Sequence, residues 1–233
     1  MSAPVLPGLL FDKDGTLFDY QKSWGGFTLA FIHDLAEGDS ALAQALADAM
    51  GIDPLTARFA PDSPIVAGTP EEAIAPVLPL LPGWTAAALT DRINAGAAVA
   101  PQVAATDLTL LFDRLRAGGH VLGIATNDAE AAAQAHLAQA GVAEAFSYVA
   151  GYDSGHGAKP GPGMCLAFAE ATGLAPGDCA MIGDSLHDLA AGRAAGMVCV
   201  AVLTGIAPDV ELAPHADVVL PDIGHLPAWL ASL

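Results

Sequence analysis

A chain of 233 residues, 53% of them apolar, can bury a substantial core, either as one large domain or as a core with a sizeable insertion, so disorder is not the expectation. Its formal net charge of -18, with only eight Lys and Arg, argues against nucleic acid or an anionic membrane surface as a partner, because both require clustered cations. The mean field repels any anionic substrate, so a site that takes one must reverse the sign with local cations and a metal.

In chain order, the first element is the apolar run 8–11, which has the length and continuity of a buried parallel strand and delivers Asp12 and Asp14 onto a Gly15-Thr16 turn. Such strands end at the carboxyl edge of an open sheet, where ligands bind. A calcium loop starting at Asp12 fails, because an EF-hand needs its glycine at loop position 6 and a glutamate at position 12, whereas Gly15 comes fourth and Ser23 stands twelfth. After an aromatic and glycine-containing segment over 18–26, amphipathic spacing predicts a helix over 27–36. Ser40 is expected to cap a second helix that Gly51 ends. The stretch 53–69 carries three prolines and reads as a loop with at most a short helix; Thr69-Pro70-Glu71-Glu72 then opens a helix that Pro76 and Pro79 break. An Ala-rich helix follows over 85–105, bent at Gly96 and Pro101, and no strand is expected between Phe18 and Thr106.

From Asp107 onward, helices alternate with short apolar strands, the pattern of a doubly wound parallel sheet in an α/β protein. Helices are expected over 108–117, 128–140, 164–172, 186–195 and 226–233, and strands over 120–125, 146–150, 179–182, 198–203 and 217–220. The odd number, wide spacing and apolar surroundings of Cys165, Cys179 and Cys199 suit buried thiols of a reducing compartment, with no disulfide. The start MSAPVLPG lacks the basic region and longer apolar stretch of a signal peptide, and no apolar run could span a bilayer. A cytoplasmic location is the expectation.

Three further polar stations follow strands of this core and would lie beside Asp12. Thr126-Asn127-Asp128 offers a hydroxyl and backbone N–H groups to an anionic oxygen, although such a triplet serves equally as a helix cap. Lys159, one of three lysines, sits in GAKPGPG, whose prolines keep the loop from sliding into helix and so suit a fixed point charge. AMIGDSLHDLAAG places Asp184 at a strand end and Asp188 four residues later on the same face of a helix start, where capping is the alternative role. Four carboxylates converging on one edge would repel strongly, and a hard divalent cation, Mg2+ in the presence of phosphate, resolves the repulsion.

In this order DKDGTL, the Thr126 station, Lys159 and GDSLHD resemble the four signature motifs of the haloacid dehalogenase superfamily, and within it the chain most resembles the phosphoglycolate phosphatase-like hydrolases. The resemblance implies a Rossmann-like core over residues 1–18 and 106–233, with a helical cap, 19–105, inserted after the first strand. It also implies Mg2+-dependent hydrolysis of a small phosphorylated metabolite through an aspartyl-phosphate. Asp12 would be the nucleophile, while Asp14 protonates the leaving oxygen and later takes a proton from water. Thr126, Asn127 and Lys159 would hold phosphoryl oxygens. Asp12, the backbone carbonyl of Asp14 and Asp184 would bind the metal, with Asp188 supporting the metal shell or Lys159.

One departure is Lys13, where the family usually has an apolar residue; strand alternation is expected to turn it away from both aspartates, near the cap interface and without a catalytic role. The inserted segment holds only Lys22, Arg58 and Arg92 as cations. Arg58, next to Phe59 in a proline-stiffened loop, suits a second anionic group on the substrate such as a carboxylate, or else pairs with Asp53 or Asp62 to pin the loop. A phospho-receiver domain also arranges acids, a Thr and a Lys around a phosphorylated aspartate, but there the lysine comes last, whereas Lys159 precedes GDSLHD. A sugar-phosphate mutase (beta-phosphoglucomutase-like) of the same fold is the nearest alternative to a phosphatase; a monomer or homodimer is expected.

Overall fold

The structure, a computed structural model, describes residues 5–233. Strand β1 (Gly8–Phe11) leads into helix α1 (Tyr20–Ala36), α2 (Ser40–Met50), a two-stranded hairpin of β2 (Ile52–Asp53) and β3 (Arg58–Phe59), then α3 (Pro70–Ile74) and α4 (Ala86–Ala97). The alternating part follows as α5 (Leu108–Ala117), β4 (Val121–Ala125), α6 (Glu130–Gln139), β5 (Tyr148–Ala150), α7 (Gly163–Thr172), β6 (Cys179–Gly183), α8 (Leu186–Ala195), β7 (Val198–Val202), α9 (Asp209–Leu212), β8 (Val218–Leu220) and α10 (Leu226–Leu230). The six long-range strands pair in parallel in the order β5-β4-β1-β6-β7-β8.

Side-chain alternation builds both layers of the core. Leu9 and Phe11 of β1 face a cluster with Leu111, Phe112 and Leu115 of α5 and Leu226 of α10, whereas Leu10 faces Met164, Cys165 and Phe168 of α7. Burial on both faces is why these strands read as continuous apolar runs. The chain leaves β1 for β4 on one side and later returns to β6 on the other, so the crevice at the carboxyl end of β1 is the switch point of the sheet. The three cysteines are free and buried, and among the described residues no helix is long and apolar enough to cross a membrane.

The expectations for the core hold to within a few residues at each end, and those for the insertion need correction. Helix α1 starts at Tyr20 rather than Phe27, because the Asp19 carboxylate accepts the Lys22 N–H at 3.1 Å and caps the helix there. Asp39, not Ser40, caps α2 by accepting from the N–H groups of Ala41 and Leu42. The predicted loop over 53–69 contains the hairpin, held by the Gln21 side chain, which donates to the Phe59 carbonyl at 3.1 Å and accepts its N–H at 2.8 Å as a neighbouring strand would. Strands of two residues are too short to leave a periodicity. Thr69 and Glu72 form the expected capping box of α3, but α4 stops at Ala97, and the chain then returns antiparallel to 17–19 through Asp19 N–H to Val103 and Ala105 N–H to Leu17. The insertion packs a core of its own around Phe31, Leu46, Phe59, Ile74, Val77 and Leu89.

Gly25 and Gly26, in the segment ahead of the helix start expected at Phe27, both lie inside α1. A Cβ at Gly25 would stand 2.0 Å from the Ala57 carbonyl, while one at Gly26 would meet nothing within 4 Å. The hairpin therefore docks on a helix face that only glycine leaves open. Adjacent substitutions should have opposite signs: Gly25→Ala is expected to lower the unfolding free energy by about 1–3 kcal/mol through overpacking, and Gly26→Ala to raise it by about 0.4–1 kcal/mol. Urea denaturation of the two variants checks this; equal effects would place the hairpin elsewhere.

Candidate active site

Asp12 extends the β1 ladder by one residue, its N–H donating to the Ile182 carbonyl at 2.8 Å, and its side chain emerges between the ends of β4 and β6. There it meets Lys159, Asp184 and Asp188, all buried. Lys159 Nζ donates to Asp12 Oδ1 at 2.6 Å, to Asp188 Oδ1 at 2.5 Å and to the Ala125 carbonyl at 2.8 Å, which engages all three of its hydrogens. The loop bearing Lys159 is clamped by Asn127, whose Oδ1 accepts the Lys159 N–H and whose Nδ2 donates to the Lys159 carbonyl, both at 2.9 Å. Asn127 Nδ2 also donates to the Ala67 carbonyl of the insertion at 2.9 Å, so the amide expected on phosphate is occupied as a clasp. Thr126 accepts the Asp128 N–H at 3.1 Å and keeps its own hydroxyl hydrogen to donate.

Asp184 accepts from the Thr16 hydroxyl at 3.1 Å and packs on Gly15, where φ is 84° and a Cβ would stand 2.3 Å from its Oδ2. Glycine is needed there for both conformation and space. Asp188 forms a capping box with Ser185 at the start of α8, so its role as a cap and its place in the site coexist.

Burial, partly offset by Lys159 and reinforced by Asp188 and Asp14, pushes the Asp12 carboxyl up to about 7. Burial, then Asp12 and Asp188, raise Asp184 well above the ordinary carboxylate range. Burial alone would lower the Lys159 ammonium, but its ion pairs with Asp12 and Asp188 win and raise it, so it stays charged. One oxygen each from Asp12, Asp184 and Asp188 lies within 4.8 Å of the others. A buried all-oxygen set whose members resist ionisation in the absence of a counter-charge fits a hard divalent cation. The Asp14 side chain is not part of this triad, leaving only its backbone carbonyl for a metal.

Asp14 instead faces Lys13, which corrects the expectation for that lysine. Lys13 is fully buried, with Nζ 2.6 Å from both Asp14 carboxylate oxygens, 3.2 Å from Asp128 and 3.0 Å from His136 Nδ1, over the Trp24 ring at 5.4 Å. Alternation does send its Cβ away from Asp12, but the four-carbon stem reaches back to Asp14. Asp14 also accepts the Trp24 indole N–H at 2.8 Å. His136 sits 2.7 Å from the Ala97 carbonyl through Nε2, so the neutral Nε2–H tautomer accepts from Lys13; burial, then the Lys13 charge, holds its pKa down. The one advance signal was a lysine where the family usually has an apolar residue.

Above the carboxylates is a cavity of about 120 Å³ between core and insertion, lined by the four aspartates, Thr126, Asn127 and Lys159 and by residues of the insertion. Arg58 is not among the lining residues. It is exposed, paired through its backbone with Asp53 in the hairpin, and borders a separate cleft with Asp48 and Thr56, so the structure does not bring it to Asp12. Tyr20, Trp24, Phe27 and Asn94 line the cavity and were not singled out, because helical spacing alone does not tell a cavity wall from a packed face. The Ala67 carbonyl, at φ 66°, meets Nδ1 of His187 at 2.9 Å as well as Asn127, tying the insertion to the core on both sides of the cavity.

The haloacid dehalogenase-like hydrolase family model matches residues 6–196, and the chain belongs to that family. A phosphoglycolate phosphatase of Xanthomonas campestris pv. campestris (strain 8004) is 36% identical over 125 residues, 52% of this chain and 57% of that protein. The chain thus spans about half the length of the curated relatives it matches. A HAD phosphatase from Thermococcus onnurineus has a TM-score of 0.66 at 23% identity, covering 99% of this chain and 98% of that one. A Thermotoga maritima protein assigned as a beta-phosphoglucomutase has a TM-score of 0.68 at 15% identity, covering 97% and 99%. At these identities the structural likeness is one of fold.

Lys13→Met should lower the unfolding free energy by about 3–5 kcal/mol, since it strands the Asp14 and Asp128 carboxylates without their counter-charge. Chemical denaturation measures it; a loss below about 1 kcal/mol, the scale of a solvated pair, would contradict a buried network.

Proposed function

We propose that the chain is a Mg2+-dependent phosphomonoesterase acting on a small phosphorylated metabolite through an aspartyl-phosphate on Asp12. Residues 1–18 and 106–233 form the catalytic core, and residues 19–105 a cap over it. The observation that supports this most is the buried Asp12, gripped through Oδ1 by Lys159 at 2.6 Å, with Oδ2 left free and Asp14 lining the same cavity. At about 10–15 Å³ per water-sized group, a cavity of about 120 Å³ admits roughly ten such groups, a small metabolite.

Asp12 Oδ2 attacks phosphorus, the ester P–O bond breaks, and its electron pair leaves on the alcohol oxygen, which takes a proton from Asp14. Water, giving its proton to Asp14, then attacks the phosphoryl group and releases inorganic phosphate and the Asp12 carboxylate. Thr126 donates its hydroxyl hydrogen to a phosphoryl oxygen, and Lys159 shares its charge between that group and Asp12. Mg2+, held by Asp12, Asp184 and Asp188, would supply charge neutralisation of the phosphoryl oxygens. Lys13 and the Trp24 indole fix the position of the Asp14 carboxyl beside the cavity, which supports this role.

Asp12→Asn should retain the fold but lose p-nitrophenyl phosphate turnover on the order of 10⁶-fold, the scale for removing a catalytic nucleophile. Activity within tenfold of the parent would remove Asp12 from that role, and transfer to a second hydroxyl without phosphate release would favour the mutase.

Metal binding should be proton-linked. Because the Asp12 carboxyl is raised to about 7 without metal, below that pH the cation must expel a proton. Affinity for Mg2+ therefore falls by at least about tenfold per unit as pH drops below 7, because Asp184 is raised as well. Calorimetry in two buffers of different ionisation enthalpy reads the released proton; a pH-independent affinity between about 5 and 7 would exclude Asp12 as a proton-linked ligand.

A further inference from the structure

The wall of the cavity facing Asp12 is built by Tyr20, Trp24, Phe27, Ile65, Val66 and Ile93. Among the described residues that line the cavity, the one cation is Lys159, whose hydrogens are taken by Asp12, Asp188 and Ala125. The cations of the insertion lie elsewhere: Lys22 pairs with Asp19, Arg92 with Asp34, and Arg58 borders another cleft. Two buried polar atoms of the lining residues accept no hydrogen bond: Asp128 Oδ2, which lies 3.2 Å from Lys13 Nζ, and Asn94 Oδ1, which has no such counter-charge. Asn94 Nδ2 donates to the Tyr152 hydroxyl at 3.3 Å.

Given that the site hydrolyses phosphomonoesters, we propose that its substrate is the monophosphate of an uncharged alcohol with an apolar body and a hydrogen-bond donor that meets Asn94 Oδ1. Carboxylated esters such as 2-phosphoglycolate are then poor substrates. A carboxylate on the leaving group would lose its water against aromatic rings, find no guanidinium and no ammonium with a spare hydrogen, and share the cavity with five aspartates. A bound cation offsets the phosphoryl charge at the carboxylate end of the cavity but leaves the aromatic wall without a counter-charge. An apolar body gains contact with the rings of Tyr20, Trp24 and Phe27. A hydroxyl on it satisfies an oxygen that is otherwise stranded, and such a stranded group is what lets a site discriminate between analogues. The inference separates this chain from relatives named phosphoglycolate phosphatases, which it matches over about half their length.

The test is kcat/KM of the purified chain with Mg2+ for propyl phosphate, glycerol 1-phosphate and 2-phosphoglycolate, in the parent and in Asn94→Ala. Glycerol 1-phosphate should exceed 2-phosphoglycolate by about tenfold or more, and Asn94→Ala should shrink the glycerol 1-phosphate to propyl phosphate ratio by about tenfold. A ratio within one variant is unaffected by how much of that variant folds. Equal or better hydrolysis of 2-phosphoglycolate overturns the proposal while leaving the phosphatase reading intact. A ratio unmoved by Asn94→Ala overturns the donor assignment, and turnover of no ester at all overturns the phosphatase reading together with what rests on it.

Discussion

The mutual repulsion of carboxylates crowded at one edge of a parallel sheet is the constraint that organises this molecule. Asp12, Asp14, Asp184, Asp188 and Asp128 all line the same cavity, and two buried lysines divide them. Lys159 holds Asp12 and Asp188, and Lys13 holds Asp14 and Asp128. Neither lysine can move freely, because an ammonium displaced from such a site would leave several buried charges unpaired. Much of the local architecture secures them: Asn127 clamps the backbone of Lys159, and His136 braces Lys13 against the insertion. The negative excess that remains is the physical basis for a cation among Asp12, Asp184 and Asp188.

The division of labour between the lysines separates two kinds of carboxylate. Asp12 and Asp184 are buried and raised, so they bind a proton or a metal readily. Asp14 is held by an ammonium and an indole N–H and lies outside the triad of Asp12, Asp184 and Asp188. Trp24 reaches Asp14 from α1 and also forms part of the aromatic wall. Trp24 therefore belongs both to the cavity wall and to the surroundings of Asp14, so docking of the insertion also completes the contacts of that carboxylate. The Ala67 and Ala97 carbonyls, bonded to Asn127, His187 and His136 of the core, carry that docking.

What the sequence by itself determined was local. Each core strand is an apolar run buried on both faces, and each polar station follows such a run, so Asp12, Thr126, Lys159, Asp184 and Asp188 could be placed at one edge from order and spacing. Helix caps such as Thr69 with Glu72 were equally readable, because their partners lie within one turn. Tertiary structure alone decided whatever depends on reach or on a close approach between distant segments. Gly25 is a docking surface because the Ala57 carbonyl arrives there, and the hairpin strands exist because Gln21 substitutes for a neighbouring strand. A flexible stem carries the Lys13 ammonium back to Asp14 regardless of the direction of its Cβ, while the hairpin carries Arg58 away from Asp12 despite its suggestive loop. The spare carbonyl of Asn94 is visible only once the cavity is closed around it. Periodicity and propensity record a residue's neighbours along the chain, whereas the charge balance and the wall of this site are set by neighbours as far as 168 positions apart.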